Sequence, residues 1–157
     1  MDIIKIRNYN PETDYKQVSD LYKDSRTYGG QYDEDRDAEE KLRTLSGNKP
    51  NCILVAEIEG RVVGTVTLFE DGRNAWLFRF AVQEKFEAEI SKDLFLKAKK
   101  ILKGMGHSQV LVYAPNDKSF DKRYDLAKEL LASNALRNIM DYPLNTKEEC
   151  CHVNSNG

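Results

Sequence analysis

The sequence predicts one mixed α/β domain over residues 1–146, a central mixed sheet flanked by helices, and three observations predict it. Three apolar, β-branched runs follow one another between Cys52 and Val82, separated only by turn-forming residues. Stretches with apolar residues at helical spacing stand before and after that block. One of them joins the third run to a further β-type run at Gln109–Tyr113, so residues 75–113 read as a β-α-β unit, which implies a parallel pair. At 157 residues the chain is long enough to bury one real core.

The elements follow in order. Ile4 and Ile6 alternate with Lys5 and Arg7, the period of a half-buried strand. Asn10-Pro11 breaks that strand, and Pro11 is placed to begin a helix carrying Tyr15, Val18, Leu21 and Tyr22. After the loop Tyr28-Gly29-Gly30-Gln31-Tyr32, the charged stretch Asp33–Leu45 predicts a second helix with Ala38, Leu42 and Leu45 on its buried stripe. Cys52–Glu57 and Val62–Phe69 read as an antiparallel hairpin around Glu59-Gly60-Arg61. Ala75–Val82, beyond a turn at Glu70–Asn74, is apolar on both faces except at Arg79, as in a central covered strand. Ile90, Leu94, Ala98, Ile101 and Leu102 mark an amphipathic helix ending near Gly104 and Gly106. A last helix is expected around Leu126–Leu131 and a last β segment over Leu136–Leu144, where Pro143 fits a strand end. Residues 147–157 read as a polar, disordered tail.

Several function classes are disfavoured. A net charge of −2, without basic patches interleaved with aromatics, gives no reason to expect nucleic acid or an anionic membrane as partner. No apolar run approaches the roughly 20 residues of a membrane span, and the charged start Met1–Arg7 does not read as a secretory signal, so the expected location is cytoplasmic. Three cysteines make no disulfide framework. Cys52 reads as a small buried residue, and Cys150-Cys151-His152 as a reactive tail, since the spaced set of four ligands typical of zinc is missing; no metal is expected.

The order of elements, with its local wording, resembles the GNAT acetyltransferase superfamily. Ile53–Gly64 is similar to the family's second and third strands, where "LVAE-x-G-x-VVG" wording is common, and Phe78–Val82 is similar to the strand before the cofactor loop. Ser133-Asn134-Ala135-Leu136 stands where the family has a Gly-Phe pair. The resemblance covers residues 3 to about 145. It implies transfer of an acyl group from acetyl-CoA to a small-molecule or peptide amine, and it allows for a homodimer. It further implies that the backbone of Phe80, Ala81 and Val82 pairs with the pantetheine arm, that helix N–H groups meet the pyrophosphate, and that a carboxylate and a tyrosine handle protons.

The chain departs from that pattern at the phosphate loop. Phe86–Lys92 has no glycine, no arginine and one residue fewer, and Glu87 and Glu89 stand where a pyrophosphate belongs. Like charges about 4 Å apart cost roughly 4 kcal/mol at an effective dielectric of 20, on the order of a thousandfold in affinity. The plainer reading is that both glutamates favour the positive end of the helix dipole. Ser91, Lys92 and Asn116 are the remaining candidates for cofactor contact. The family tyrosine position is Leu131, leaving Tyr124 and Tyr113 as candidate thiolate acids, and Glu57, Glu70 or Asp71 as candidate bases. Tyr28, Tyr32, Trp76 and Arg79 are candidate substrate contacts. Two functions compete: an N-acetyltransferase, and a catalytically degenerate binding or regulatory protein on the same fold.

Overall fold

The computed structural model describes residues 3–24, 32–114 and 138–141. Its sheet runs β1 (Ile4–Asn8), β2 (Ile53–Ile58), β3 (Arg61–Glu70), β4 (Ala75–Val82), β5 (Leu111–Ala114), β6 (Asn138–Asp141), in that spatial order. The first four strands pair antiparallel, while β5 is parallel to both β4 and β6. The mixed sheet expected from the sequence is the one observed. Glu59 and Gly60 both take positive φ, 49° and 76°, the two-residue turn whose twist matches a β hairpin.

Three helices cover the sheet: α1 (Tyr15–Asp24), α2 (Glu39–Asn48) and α3 (Glu87–Gly104). On one face Ile90, Leu94, Ala98 and Leu102 of α3 pack on Leu54, Ala56, Val66, Leu77 and Phe80. On the other, Val18, Leu21 and Tyr22 of α1 and Leu42 of α2 pack on Ile53, Val55, Val62 and Ala81. Strands covered on both faces need apolar residues at successive positions, which accounts for the unbroken run Ile53–Ala56.

Three boundaries differ from the sequence reading. Helix α1 starts at Tyr15, not Pro11, because the intervening residues close a turn in which Asp14 N–H donates to the Asn10 carbonyl at 2.9 Å. Helix α2 starts at Glu39, not Asp33. Residues 33–37 form a turn of their own: Asp33 accepts the N–H of Arg36 at 2.7 Å, and Asp37 accepts that of Asp33 at 3.0 Å. Aspartate side chains competing for backbone N–H groups favour such turns over helix. The buried stripe is Leu42 and Ser46, with Leu45 left 37% exposed.

The third difference bears on function. The stretch read as a phosphate loop is already helical: a short 3-10 turn over Glu84–Phe86 leads straight into α3 at Glu87. Without glycine, and with alanine and glutamate that favour helix, nothing local stops the helix from starting there. The expected helix at 126–131, the chain beyond Asp141 and the tail lie outside the described residues.

Candidate functional site

The β3–β4 ladder loses register in its middle. Thr65 faces Ala81 and Thr67 faces Phe78, so three steps along β4 oppose two along β3. The extra residue makes a β-bulge, and within it Arg79 takes φ +58°, a left-handed conformation rare outside glycine. Such a backbone costs on the order of 1–3 kcal/mol and persists only where its surroundings hold it.

What holds it is a buried ion pair. The Arg79 guanidinium bonds the Asp37 carboxylate, the two side chains being 5% and 6% exposed, and it stacks 4.4 Å from the ring centroid of Tyr22. Asp37 in turn belongs to the 33–37 turn ahead of α2, whose carbonyl at Asp37 accepts the Tyr15 hydroxyl at 2.9 Å. Burial pushes the Tyr22 hydroxyl above its usual titration range, against the pull of Arg79. One strained strand position is thereby tied to α1 and to the approach to α2.

Among the described residues the β4–β5 ladder ends just before the bulge. It consists of Trp76↔Leu111 and Leu77↔Val112, yet β4 continues to Val82 and β5 continues beside β6 to Ala114. Phe80, Ala81 and Val82 have buried side chains, at 1%, 0% and 5% exposure, so any ligand lying along this stretch meets their peptide groups. Beyond the end of β4 sits the start of α3. Its N-cap, Phe86, makes no side-chain capping bond. The first four N–H groups of a helix lack intrahelical acceptors and form its positive end.

Gly64 sets that helix start against the sheet. A Cβ there would lie 2.5 Å from Ile90 Cγ2 and 3.3 Å from Val82 Cγ2, so the helix rests on β3 and β4 at a distance only glycine permits. Ser91 and Lys92 are the fifth and sixth residues of α3, beyond the N–H groups of its first turn. Ser91 is buried, while Lys92 and Glu89 are exposed.

The candidate bases lie elsewhere. Glu57 is bonded at 2.6 Å by Arg7 Nε, and Arg7 also holds Asp14 at 2.6 Å, a network joining β1, β2 and the approach to α1. Glu70 and Asp71 sit at the opposite end of β4 from the bulge. The Gly72 N–H lowers Glu70, and the Asn74 and Arg73 N–H groups lower Asp71, holding both carboxyls below their usual range. Trp76 is half-buried against Phe69, with centroids 5.4 Å apart, and Tyr32 is half-buried with Lys23 Nζ 4.8 Å over its ring. Tyr113 falls on β5, with its side chain outside the described set; Tyr28, Tyr124 and Asn116 also lie outside the described residues.

A cavity of about 210 Å³ opens beside the bulge, between α2 and the sheet, with Leu42, Leu45, Phe69, Phe78, Asp37 and Arg79 in its lining. Asp37 and Tyr22 are site residues that sequence reasoning missed. The available signal was Arg79 itself, since a charge in a strand covered on both faces requires a partner. Among the described residues no cluster of metal-ligating side chains occurs, and no helix is long and apolar enough to cross a membrane.

Comparisons with known proteins agree with this geometry. The PaiA N-acetyltransferase of Thermoplasma acidophilum, solved in complex with coenzyme A, superposes with a TM-score of 0.65 at 22% identity, covering 80% of this chain and 88% of that one. The ribosomal-protein-S18-alanine N-acetyltransferase of Escherichia coli gives 0.60 at 14% identity, over 82% and 76%. A longer Pyrococcus horikoshii chain gives 0.61 at 16% identity over 82% of this chain, which spans 42% of that protein's length. At these identities the structures show the fold. No curated protein matches the sequence significantly. The model of the acetyltransferase (GNAT) family matches residues 15–121, well over half of the chain, and the protein therefore belongs to that family.

Proposed function

We propose that the protein transfers an acetyl group from acetyl-CoA to an amine. One observation carries the reading: in a chain of this family, the described β4–β5 ladder ends at Leu77↔Val112 beside the β4 bulge, while β4 runs on to Val82 and leads to the uncapped start of α3. The peptide groups of Ala81 and Val82 then pair with the amides of the pantetheine arm as an added strand would. The N–H groups of the first turn of α3 face the pyrophosphate. Glu89 is exposed, so solvent screens its charge from that site.

The amine attacks the thioester carbon directly, the C–S bond breaks and the electron pair leaves on the CoA sulfur. Arg79 and Asp37 keep the bulge in place. Among the described residues Asp37 is committed to Arg79 and Glu57 to Arg7, and we assign the amine's proton to water. The rate is then expected to rise with pH through the amine's own pKa. Tyr124 and Tyr113 remain the proposed proton donors to the thiolate, and Lys92 a proposed phosphate contact. The chain is proposed to act in the cytoplasm.

A titration of thermal stability with acetyl-CoA tests the reading, since a ligand at a hundred times its Kd stabilises by about 2.7 kcal/mol. No shift at millimolar acetyl-CoA overturns it in favour of the second reading, a fold kept as a binding or regulatory module. One observation favours that alternative: α3 starts at Glu87, putting helix where family members have a glycine loop. The double variant Glu87→Gly, Glu89→Gly separates the two, because a gain in CoA affinity identifies this segment as the obstacle.

A further inference from the structure

We propose, resting on the acetyltransferase reading above, that the acceptor is an amine with an apolar body and an anionic group, seated in the cavity beside Arg79. The cavity measures about 210 Å³, and one of roughly 150 Å³ encloses a benzene ring. A side chain the size of leucine or phenylalanine therefore matches it. Its walls include Leu42, Ile53 and Phe78, and at its mouth Leu45 and Phe69 are left 37% and 46% exposed. Large apolar side chains gathered around a concavity are the mark of an apolar ligand's site.

Among the described residues the charge around this cavity is mostly positive. Its charged lining consists of Arg36, Lys41, Lys49, Arg79 and Asp37. Asp37 pairs with Arg79 in a buried contact and is approached by Arg36 at 3.8 Å, so one carboxylate faces four cations and the described lining keeps a net positive charge. Lys49 lies 5.8 Å from the Phe69 centroid and is shared with Glu70 at 4.0 Å, outside the cavity. The chain as a whole carries −2, so this local excess runs against its net sign. A polycationic amine would bring like charge into that field, whereas a carboxylate is drawn into it. The one carboxylate of the lining is committed to Arg79 and is not available to receive a second ammonium group.

The test compares acceptors in pairs with acetyl-CoA as donor. Leucine and phenylalanine are expected to exceed leucinamide and phenylalaninamide by about tenfold in kcat/KM, from the carboxylate alone. The lower amine pKa of the amides biases the comparison the other way, which makes it stringent. A leucyl-glutamate dipeptide that surpasses leucine supports the same chemistry and assigns it to a peptide. Spermidine or leucinamide equalling leucine overturns the inference while leaving the acetyltransferase reading intact. Calorimetric titration with N-acetylleucine and N-acetylleucinamide gives an answer without turnover: equal binding, or none, overturns the inference. Lys41→Glu is expected to raise KM for leucine several-fold with KM for acetyl-CoA unchanged; an unchanged KM for leucine counts against it. If acetyl-CoA itself fails to bind, the acetyltransferase reading falls and the acceptor proposal with it, and the N-acetylleucine titration then reports only whether the cavity takes an apolar carboxylate.

Discussion

Arg7 and Arg79 each hydrogen-bond an aspartate side chain, and they do different things. Arg7, 24% exposed, bonds Asp14 and Glu57 and fastens the outer strands to the turn ahead of α1. Arg79, 5% exposed, bonds Asp37 beneath α1 and α2, and its own backbone is held in a conformation that strands avoid. The chemistry of the contact is the same, but the surroundings differ. At Arg7 the contact to Glu57 joins β1 and β2, which already pair in regular register. At Arg79 the pair accompanies an irregularity, the β-bulge of β4, which begins where the described β4–β5 ladder ends.

The sharpest way to break the comparison is to remove one aspartate at a time. Asp37→Ala leaves a buried guanidinium without its partner and is expected to cost about 3–5 kcal/mol, read as a large fall in Tm and a loss of acetyl-CoA affinity. Asp37→Asn, which keeps a hydrogen-bond acceptor, should recover part of both. An unaffected acetyl-CoA affinity in a folded Asp37→Asn protein would detach the ion pair from the site.

A smaller effect is expected at Gly64, where the crowding is steric rather than ionic. Gly64→Ala places a methyl against Ile90 and should cost about 1–3 kcal/mol, with weaker CoA binding as the start of α3 moves. Gly47→Ala is the control, because nothing lies within 4 Å of its added Cβ and it sits within α2. That change is expected to stabilise by up to about 1 kcal/mol.

The Arg7 side of the comparison is best read through pH. Burial pushes the Asp14 carboxyl up, but the Arg7 guanidinium and the Asn10 N–H pull it further down, to below its ordinary value. A carboxyl lowered in the folded state contributes stability that is fully present above the ordinary value, about 3.9. That contribution is lost as pH falls through the lowered value. Asp14→Asn should therefore flatten the acid limb of a stability–pH curve, at a cost near neutrality of about 1.5–3 kcal/mol for the charged hydrogen bonds. An unchanged acid limb would show that the pair does not set it.

Smallest of all is Glu57→Gln. Its partly exposed pair with Arg7 is worth up to about 1 kcal/mol, and kcat should stay within about twofold if Glu57 is no base. A loss of a hundredfold would return Glu57 to the catalytic group.

Much of the fold is legible in the chain, because burial imposes a pattern on local residues. Ile53–Ala56 and Val62–Leu68 read as covered strands, and Ile90, Leu94, Ala98 and Leu102 as one helix face, since each element must present its own apolar surface. The site was less legible. Arg79 stood out as the charged residue in a covered strand, but its partner lies 42 positions away in an acidic stretch. There Asp33, Glu34, Asp35 and Asp37 look alike. The bulge left no trace, because a strand apolar on both faces has no alternation for an extra residue to interrupt. Family spacing suggests a loop ahead of Ile90, whereas local helix preference governs Glu87–Ser91 and α3 starts at Glu87.

By itself, then, the sequence determined the elements, their order and the two-sided burial of the central strands, all of which follow from short-range periodicity and turn chemistry. Tertiary structure alone decided which aspartate meets Arg79, where the described β4–β5 ladder ends, and why position 64 must be glycine. Those are properties of groups brought together from distant parts of the chain. Their energy comes from exclusion of water, from close steric approach and from charge neutralised in a buried place, and none of these exists until the chain has folded.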